Sequence, residues 1–398
     1  MLSSLRTALG TLLCAAALAL AGLPAAAQSG KASAPIPSAT LALMQAKGAS
    51  AGSPVLFRAY KKESEIELWK RDGNGRFVFI KIYPICRWSG QLGPKTKTGD
   101  RQTPEGFYTV AKTQMNPNSN YYLSFDIGYP NAYDKAHGST GSAVMVHGIC
   151  SSMGCFAMTD HVAGELFSIA REAFAGGQTA FQFQSFPFRM SAANMARHRT
   201  DANIAFWRQL KEGSDRFEAT GQEPVVSVSA AGRYAFAPLK EPAQEALAQA
   251  RRRDEEALTA RLVEDGSAAV RTTYSDGGQN AFWAALIRKG FPVGDVSRPE
   301  ALAYAGQEVI VIPARRKPQP VPEAVWAAWI APGTVFYPPQ VAGFQAPYEV
   351  AAPALPPLVT SYAGTLPRVL RASLQQGADG GAARVFAPRL VADALGPR

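Results

Sequence analysis

The chain has four histidines and four cysteines in 398 residues, and three of those eight, His147, Cys150 and Cys155, fall within residues 147–155. They lie in the stretch MVHGICSSMGCFAMTD, residues 145–160. Imidazoles and thiols this close support three chemistries: a metal site, a local disulfide, or a thiol nucleophile with its base. A zinc set of His147, Cys150, Cys155 and His161 has suitable ligand types but lacks the paired short spacings of structural zinc sites. A Cys150–Cys155 bridge would tie up a Gly/Ser loop and leave Cys86 alone. The third reading makes Cys155 the nucleophile and His147 its general base and acid. A thiol with an ordinary pKa of about 8.5 is mostly protonated at neutral pH, and a nearby imidazole draws off the proton. Ser152, Met153 and Gly154 precede Cys155 and supply backbone N–H groups in a loop able to curl around a developing oxyanion.

The compartment bears on the choice. Residues 1–27 carry Arg6, an apolar run, and a closing Ala25-Ala26-Ala27, the pattern of a signal peptide cleaved near Ala27. The run is too short and too Ala-rich for a comfortable membrane span. The expected location is therefore the periplasm. Cleavage removes one positive charge, Arg6, taking the formal net charge from +10 to 10 − 1 = +9. That charge is spread along the chain without a long Lys/Arg block, which fits a solvated basic surface or an acidic polymer nearby and argues against a nucleic-acid partner. Loss of Cys14 leaves Cys86, Cys150 and Cys155, an odd number in an oxidising space. At least one thiol stays unpaired within the chain, and catalysis supplies a reason for it.

Elements must position these groups. A turn-rich linker is expected over residues 28–53. From there to residue 190 the pattern is mostly strands: EIELW alternates, a Gly/Asn turn follows, and RFVFIKIYPI is apolar on both faces as in a central strand. GFYTVAKT, SAVMVHG and TAFQFQSFPF are further strands. One helix interrupts them, capped by Asp160, with Val162, Leu166, Ile169 and Ala173 on one face and Gly176-Gly177 at its end. His147 thus ends a buried strand, and Cys155 follows a short loop. Catalytic residues are often held on loops in this way.

The arrangement resembles the YkuD-type L,D-transpeptidase catalytic domain, and within it the YafK-like murein branch. The words that carry the resemblance, besides the His147-Gly148 and Ser152-x-Gly154-Cys155 pair, are CRWSGQLGPK (86–95), GDRQTPEGFY (99–108), YYLSFDIGYPNAYD (121–134) and FPFRM (186–190). The resemblance implies that Cys155 is the nucleophile, that His147 is the base, and that the carbonyl of Gly148 orients the imidazole. It implies a thioester formed from a peptidoglycan stem peptide at the L centre of a dibasic residue, with no metal and no organic cofactor. Resolution by an amine gives transpeptidation, and by water hydrolysis, the latter including release of a wall-anchored lipoprotein in this branch. A wall-binding scaffold without thiol reactivity is the non-enzyme alternative. Two features depart from the family at large and are shared by the branch: seven residues separate His147 from Cys155, and Met153 stands where a histidine is usual. His137, eighteen positions before Cys155, is a rival base, less favoured because it falls in a polar loop. Cys86 and Cys150 remain, each beside a stretch that carries the resemblance, and either a bridge or two buried thiols would suit them.

The fold expected is a mainly β catalytic domain over residues 54–190, a YkuD-like β-sandwich or barrel with a few helices. A mixed α/β region over 191–312 and a Pro/Ala-rich extended tail over 313–398 follow it. Helices are expected near 202–213 and 241–264, the second a solvated surface helix, with short strands in PVVSVS and EVIVIP. The word TTYSDGGQNAFWAALIRKGF carries no evident chemistry.

Overall fold

The computed structural model describes residues 30–290 and 307–315. The leader expected over 1–27 and all but the first three residues of the expected 313–398 tail lie outside the described residues.

Two sheets form a sandwich. The larger has the order β3-β2-β1-β9-β4, built from β1 (Val55–Tyr60), β2 (Glu65–Arg71), β3 (Phe77–Pro84), β4 (Gly106–Ala111) and β9 (Ala180–Phe186). Only β1 and β9 pair in parallel within it. The smaller sheet has the order β5-β6-β7-β8, from β5 (Met115–Asn116), β6 (Ser124–Asp126), β7 (Met145–His147) and β8 (Phe156–Ala157). Inward rings join the layers. Phe57 stacks on Phe125 at 5.9 Å and meets Phe181 edge-on at 5.4 Å, and Phe156 meets Phe183 at 5.1 Å. Such edge contacts add to the burial of large apolar rings. The mainly β domain with few helices is the fold expected.

Three local expectations need correction. Strand β3 is at the edge of its sheet, not the centre. Its apolar faces are used because other elements cover them: Phe79 packs on Trp69, and Phe77 packs on Phe217 while its N–H donates to the Gly221 carbonyl at 2.8 Å. The stretch read as a linker carries α1 (Ser38–Ala46), with Met44 and Thr40 buried. Thr40 and Lys81 both bond the buried carboxylate of Glu165, at 2.5 and 2.9 Å. The cap of α3 (Asp160–Ala175) is Thr159, whose Oγ1 accepts from the Val162 N–H, and Asp160 is instead its first residue. Val162, Leu166, Ile169 and Ala173 are buried on one face of that helix as expected.

Beyond residue 190 the chain continues to pack on the larger sheet. Helix α5 (Ile204–Thr220) sets Phe217 against Leu56 and Phe77, and Trp207 Nε1 donates to Glu105 at 2.8 Å. Glu105 is fully buried and paired at 2.9 Å with fully buried Lys61. Lys61 Nζ also donates to the carbonyls of Gly93 and Thr103, and Glu105 accepts from the Gly93 N–H. This cluster ties the end of β1 to the 89–105 loop. Helix α6 (Pro242–Glu264) buries only Ala248 and lies beside α5 through Arg216–Glu245 and Lys211–Glu255 ion pairs, a largely solvated helix as its composition suggests. The two short strands appear as β10 (Val226–Val228) and β13 (Gln307–Ile312). Strand β13 pairs with β12 (Ala269–Thr273).

Candidate active site

Strand β7 lies between β6 and β8, antiparallel to the first and parallel to the second. Met145 and Val146 give way to His147 at its end, and β8 starts one residue after Cys155. The parallel register His147↔Ala157 and Val146↔Phe156 sets Cys155 alongside Met145. Two residues apart along a strand share a face, so His147 presents its side chain on the same side of β7 as Met145, the residue whose N–H meets Cys155. Cys155 Sγ receives the Met145 N–H at 3.4 Å and lies 3.9 Å from the Ala143 carbonyl. No hydrogen bond joins it to His147 among the described residues; in unliganded sites such pairs are often long and tighten with substrate.

His147 is buried, and its ring lies 4.6 Å from that of Tyr121. Its Nδ1 is 2.6 Å from the Gly148 carbonyl. A carbonyl only accepts, so Nδ1 carries the proton and Nε2 is left with its lone pair. Burial pushes this imidazole below its ordinary pKa, against the opposing pull of the Gly148 carbonyl and Asp160. Burial likewise pushes the Cys155 thiol up, with the Met145 N–H and Lys95 opposing and Asp126 adding to the rise. Both shifts favour a neutral thiol and a neutral imidazole at rest.

The intervening loop is tightly braced. Gly148 has no room for a side chain: a Cβ there would lie 2.5 Å from Asp160 Oδ1 and 2.9 Å from Tyr122 Cβ. Ile149 and Cys150 both adopt left-handed backbone, φ 67° and 54°, which costs energy in residues other than glycine. Three bonds hold them: Asp160 Oδ1 accepts the Ile149 N–H at 2.8 Å, the Met158 carbonyl accepts the Cys150 N–H at 3.1 Å, and Cys150 is joined to Cys86. That disulfide settles the pairing the sequence left open, and it removes Cys150 from both the zinc set and the local hook. Cys155 is the free cysteine of the described residues.

The residues expected to line the oxyanion loop divide by role. Ser152 is buried and turned inward, donating to the Cys155 carbonyl at 2.7 Å and meeting Ser89 Oγ at 3.1 Å. Its Oγ also takes the Gly154 N–H at 3.3 Å, so the hydroxyl shapes the turn from within. Gly154 has φ +124°, and Met153 is 73% exposed at the rim. His137 stands elsewhere, at the end of α2 (Ala132–Ala136), stacked on Tyr133 at 4.1 Å with Nδ1 2.9 Å from the Tyr133 carbonyl. His161 is exposed in the first turn of α3.

Sequence reasoning missed the 274–283 segment. It crosses the residues that follow β3. Trp88 and Gly278 exchange backbone bonds at 3.1 and 3.2 Å, and Trp283, on α7 (Ala281–Arg288), packs on the Cys86–Cys150 bridge. The Ser-Asp-Gly-Gly run in that word was the available signal, since paired glycines mark a close backbone approach.

Residues 61–176 match the YkuD family, described as the L,D-transpeptidase catalytic domain. Over 183 residues the chain is 45% identical to "Putative L,D-transpeptidase YafK" of Escherichia coli strain K12, covering 46% of this chain and 74% of that protein. The O157:H7 protein of the same name matches to the same extent. Among solved structures, the helical cell shape determining protein Pgp2 of Campylobacter jejuni aligns at 16% identity and a TM-score of 0.28, over 59% of this chain and 80% of its own. Bd1075 of Bdellovibrio bacteriovorus aligns at 18% identity and a TM-score of 0.24, over 54% and 57%. At those scores the two likenesses carry nothing further.

Proposed function

Because the chain belongs to the YkuD family of L,D-transpeptidase catalytic domains, with a peptidoglycan-related, transpeptidase-type function, we propose that it acts through a thioester on Cys155. His147 Nε2 takes the Cys155 proton as sulfur attacks the carbonyl at the L centre of a dibasic stem residue. A tetrahedral oxyanion forms, the C–N bond breaks, and the departing amine takes that proton from His147. An incoming amine or water then attacks the thioester, gives its proton to Nε2, and expels the Cys155 thiolate, which is reprotonated. The amine completes a transpeptidation and the water a hydrolysis. The observation that carries this reading is the His147 Nδ1 to Gly148 carbonyl bond, which leaves Nε2 as the ring's proton acceptor, two residues along β7 from Met145, whose N–H meets the free Cys155 thiol. Ser152 keeps the turn before Cys155 in shape, and a backbone N–H of that turn is the donor assigned to the developing oxyanion, the Gly154 N–H being released from Ser152 if it serves. The reaction takes place in the periplasm, where the Cys86–Cys150 bridge would persist.

Defined muropeptides, with and without an amine acceptor, test this by mass. A Cys155-linked acyl intermediate and a cross-linked or trimmed product are expected. Product formation that survives Cys155→Ala overturns the assignment. If a wall-linked lipoprotein is cut in preference to free tetrapeptide, the hydrolytic outcome is the physiological one.

A further inference from the structure

The chemistry above makes no use of Asp276 or of the two arginines it holds. Asp276 lies where the 274–280 segment crosses Trp88, Ser89 and Gly90. The Tyr274 N–H and carbonyl bond the Gln91 side chain at 2.9 and 2.5 Å, and the Gly277 N–H donates to the Gly90 carbonyl at 2.6 Å. A Cβ on Gly277 would lie 1.9 Å from the Trp88 oxygen, so the crossing needs glycine. From that position the Asp276 carboxylate accepts from Arg87 Nη2 at 3.2 Å, from Arg101 Nη2, and from the Gly90 N–H at 3.2 Å.

Arg101 adjoins the nucleophile's loop. Its carbonyl accepts from Ser89 Oγ at 2.6 Å, and that same Oγ meets Ser152. A Cβ on Gly154, the residue before Cys155, would lie 3.4 Å from the Gln102 carbonyl and 4.0 Å from the Arg101 carbonyl carbon. Arg101 is also held at φ 57° in the left-handed region, with its guanidinium half exposed. A non-glycine residue kept in such a conformation next to a reactive group marks a place where surrounding structure overrides backbone preference. Two guanidinium groups and an N–H that converge on one carboxylate make a complete carboxylate site. Of the two guanidinium groups Arg101 is the half-exposed one, so its pair with Asp276 is the more cheaply broken.

We propose that Arg101, with Arg87 and the Gly90 N–H, forms a subsite next to the turn that precedes Cys155 for a carboxylate of the stem peptide, and that Asp276 occupies it in the free protein. This rests on the stem-peptide reading above. Binding exchanges one carboxylate for another, so the charge pairing is kept as the substrate enters. The stem peptide offers two candidates, its C-terminal carboxylate and the free carboxylate of the dibasic residue. Both have the chemistry the site takes.

Binding to the full chain carrying Cys155→Ala tests the subsite without turnover. The probes are a stem tetrapeptide, the same peptide as its C-terminal carboxamide, and the peptide amidated at the dibasic residue. The free acid is expected to bind roughly tenfold more tightly than one of the amides, and which amide loses affinity identifies the carboxylate. Arg101→Gln should abolish that preference, Arg101→Lys should keep part of it, and Asp276→Asn should tighten the free acid alone. Equal binding of all three peptides, no binding of any, a preference that survives Arg101→Gln, or an Asp276→Asn loss shared by every probe would each overturn the proposal. Acylation of the unaltered chain is followed separately by intact mass. A carboxylate preference without any acyl-enzyme would leave the subsite standing and remove the acyl-transfer reading.

Discussion

The Nδ1 of His147 and the carbonyl of Gly148 are 2.6 Å apart, a bond between neighbouring residues that fixes the ring's tautomer. Because the acceptor is main chain, it cannot be lost by substituting a side chain elsewhere. His147→Ala is expected to slow Cys155 acylation by roughly 10²–10⁴, the usual worth of a positioned proton acceptor. His137→Ala should leave the rate within a few-fold, since that ring is occupied with Tyr133. Single-turnover mass spectrometry of both variants decides, and a reversed pattern would transfer the base to His137.

The same burial that lowers the His147 pKa raises that of Cys155, and the pH dependence follows from those two directions. With its pKa below the ordinary imidazole value of about 6.5, His147 stays neutral and able to accept a proton as pH falls through that value. Substrate acylation should therefore persist below pH 6.5 and fail only at lower pH. Alkylation by iodoacetamide needs the thiolate. Its rate should climb with pH to a midpoint above the ordinary thiol value of about 8.5. An alkylation midpoint near neutrality would instead reveal a resting thiolate–imidazolium pair.

Much of the site was legible because its signals are local. A strand ending in His147-Gly148, a glycine before Cys155 and a short loop between them are all contained within residues 145–155. What escaped depends on distant partners. Phe77 and Phe79 read as central-strand residues, yet they lie on an edge strand covered by Phe217 and Trp69. Asp276 meets Arg87 and Arg101 across 189 and 175 residues of chain. In sequence it is one acid in a turn-like run. Asp160, read as a helix cap, turned out to serve the Ile149 N–H, because Thr159 beside it is the better placed oxygen for the helix.

Cys86 and Cys150 close a loop of sequence separation 64, with Trp283 packed over the bridge. Chain-entropy arguments give such a bridge up to about 4 kcal/mol. The Cys86→Ala/Cys150→Ala protein should lose about 2–4 kcal/mol in urea unfolding. It should also acylate more slowly, because Ile149 and Cys150 lose one of the restraints on their left-handed backbone. Non-reducing peptide maps of protein purified without reductant should show the two cysteines in one linked pair and Cys155 alkylated. Separately alkylated Cys86 and Cys150 would contradict the pairing.

Lys61 and Glu105 form a fully buried ion pair at 2.9 Å whose remaining bonds reach Gly93, Thr103 and Trp207. Burial lowers the Lys61 pKa, and Glu105 opposes that fall. Removing one partner leaves the other charged, dry and uncompensated, so Lys61→Met or Glu105→Leu should each cost about 3–5 kcal/mol. The double variant should be destabilised by much less than the sum, because no lone buried charge remains. Position matters as well as stability. Thr103, whose carbonyl Lys61 holds, donates its N–H to the Ser89 carbonyl at 3.0 Å, accepts the Ser89 N–H on its hydroxyl at 3.1 Å, and donates that hydroxyl to the Cys155 carbonyl at 3.4 Å. The double variant should therefore fold yet acylate Cys155 more slowly than the parent, and the measurement is urea unfolding followed by single-turnover acylation at one pH. Additive losses in the two single variants would mean the charges act independently. An unaltered acylation rate in a folded double variant would mean that the 89–105 loop holds its shape without them.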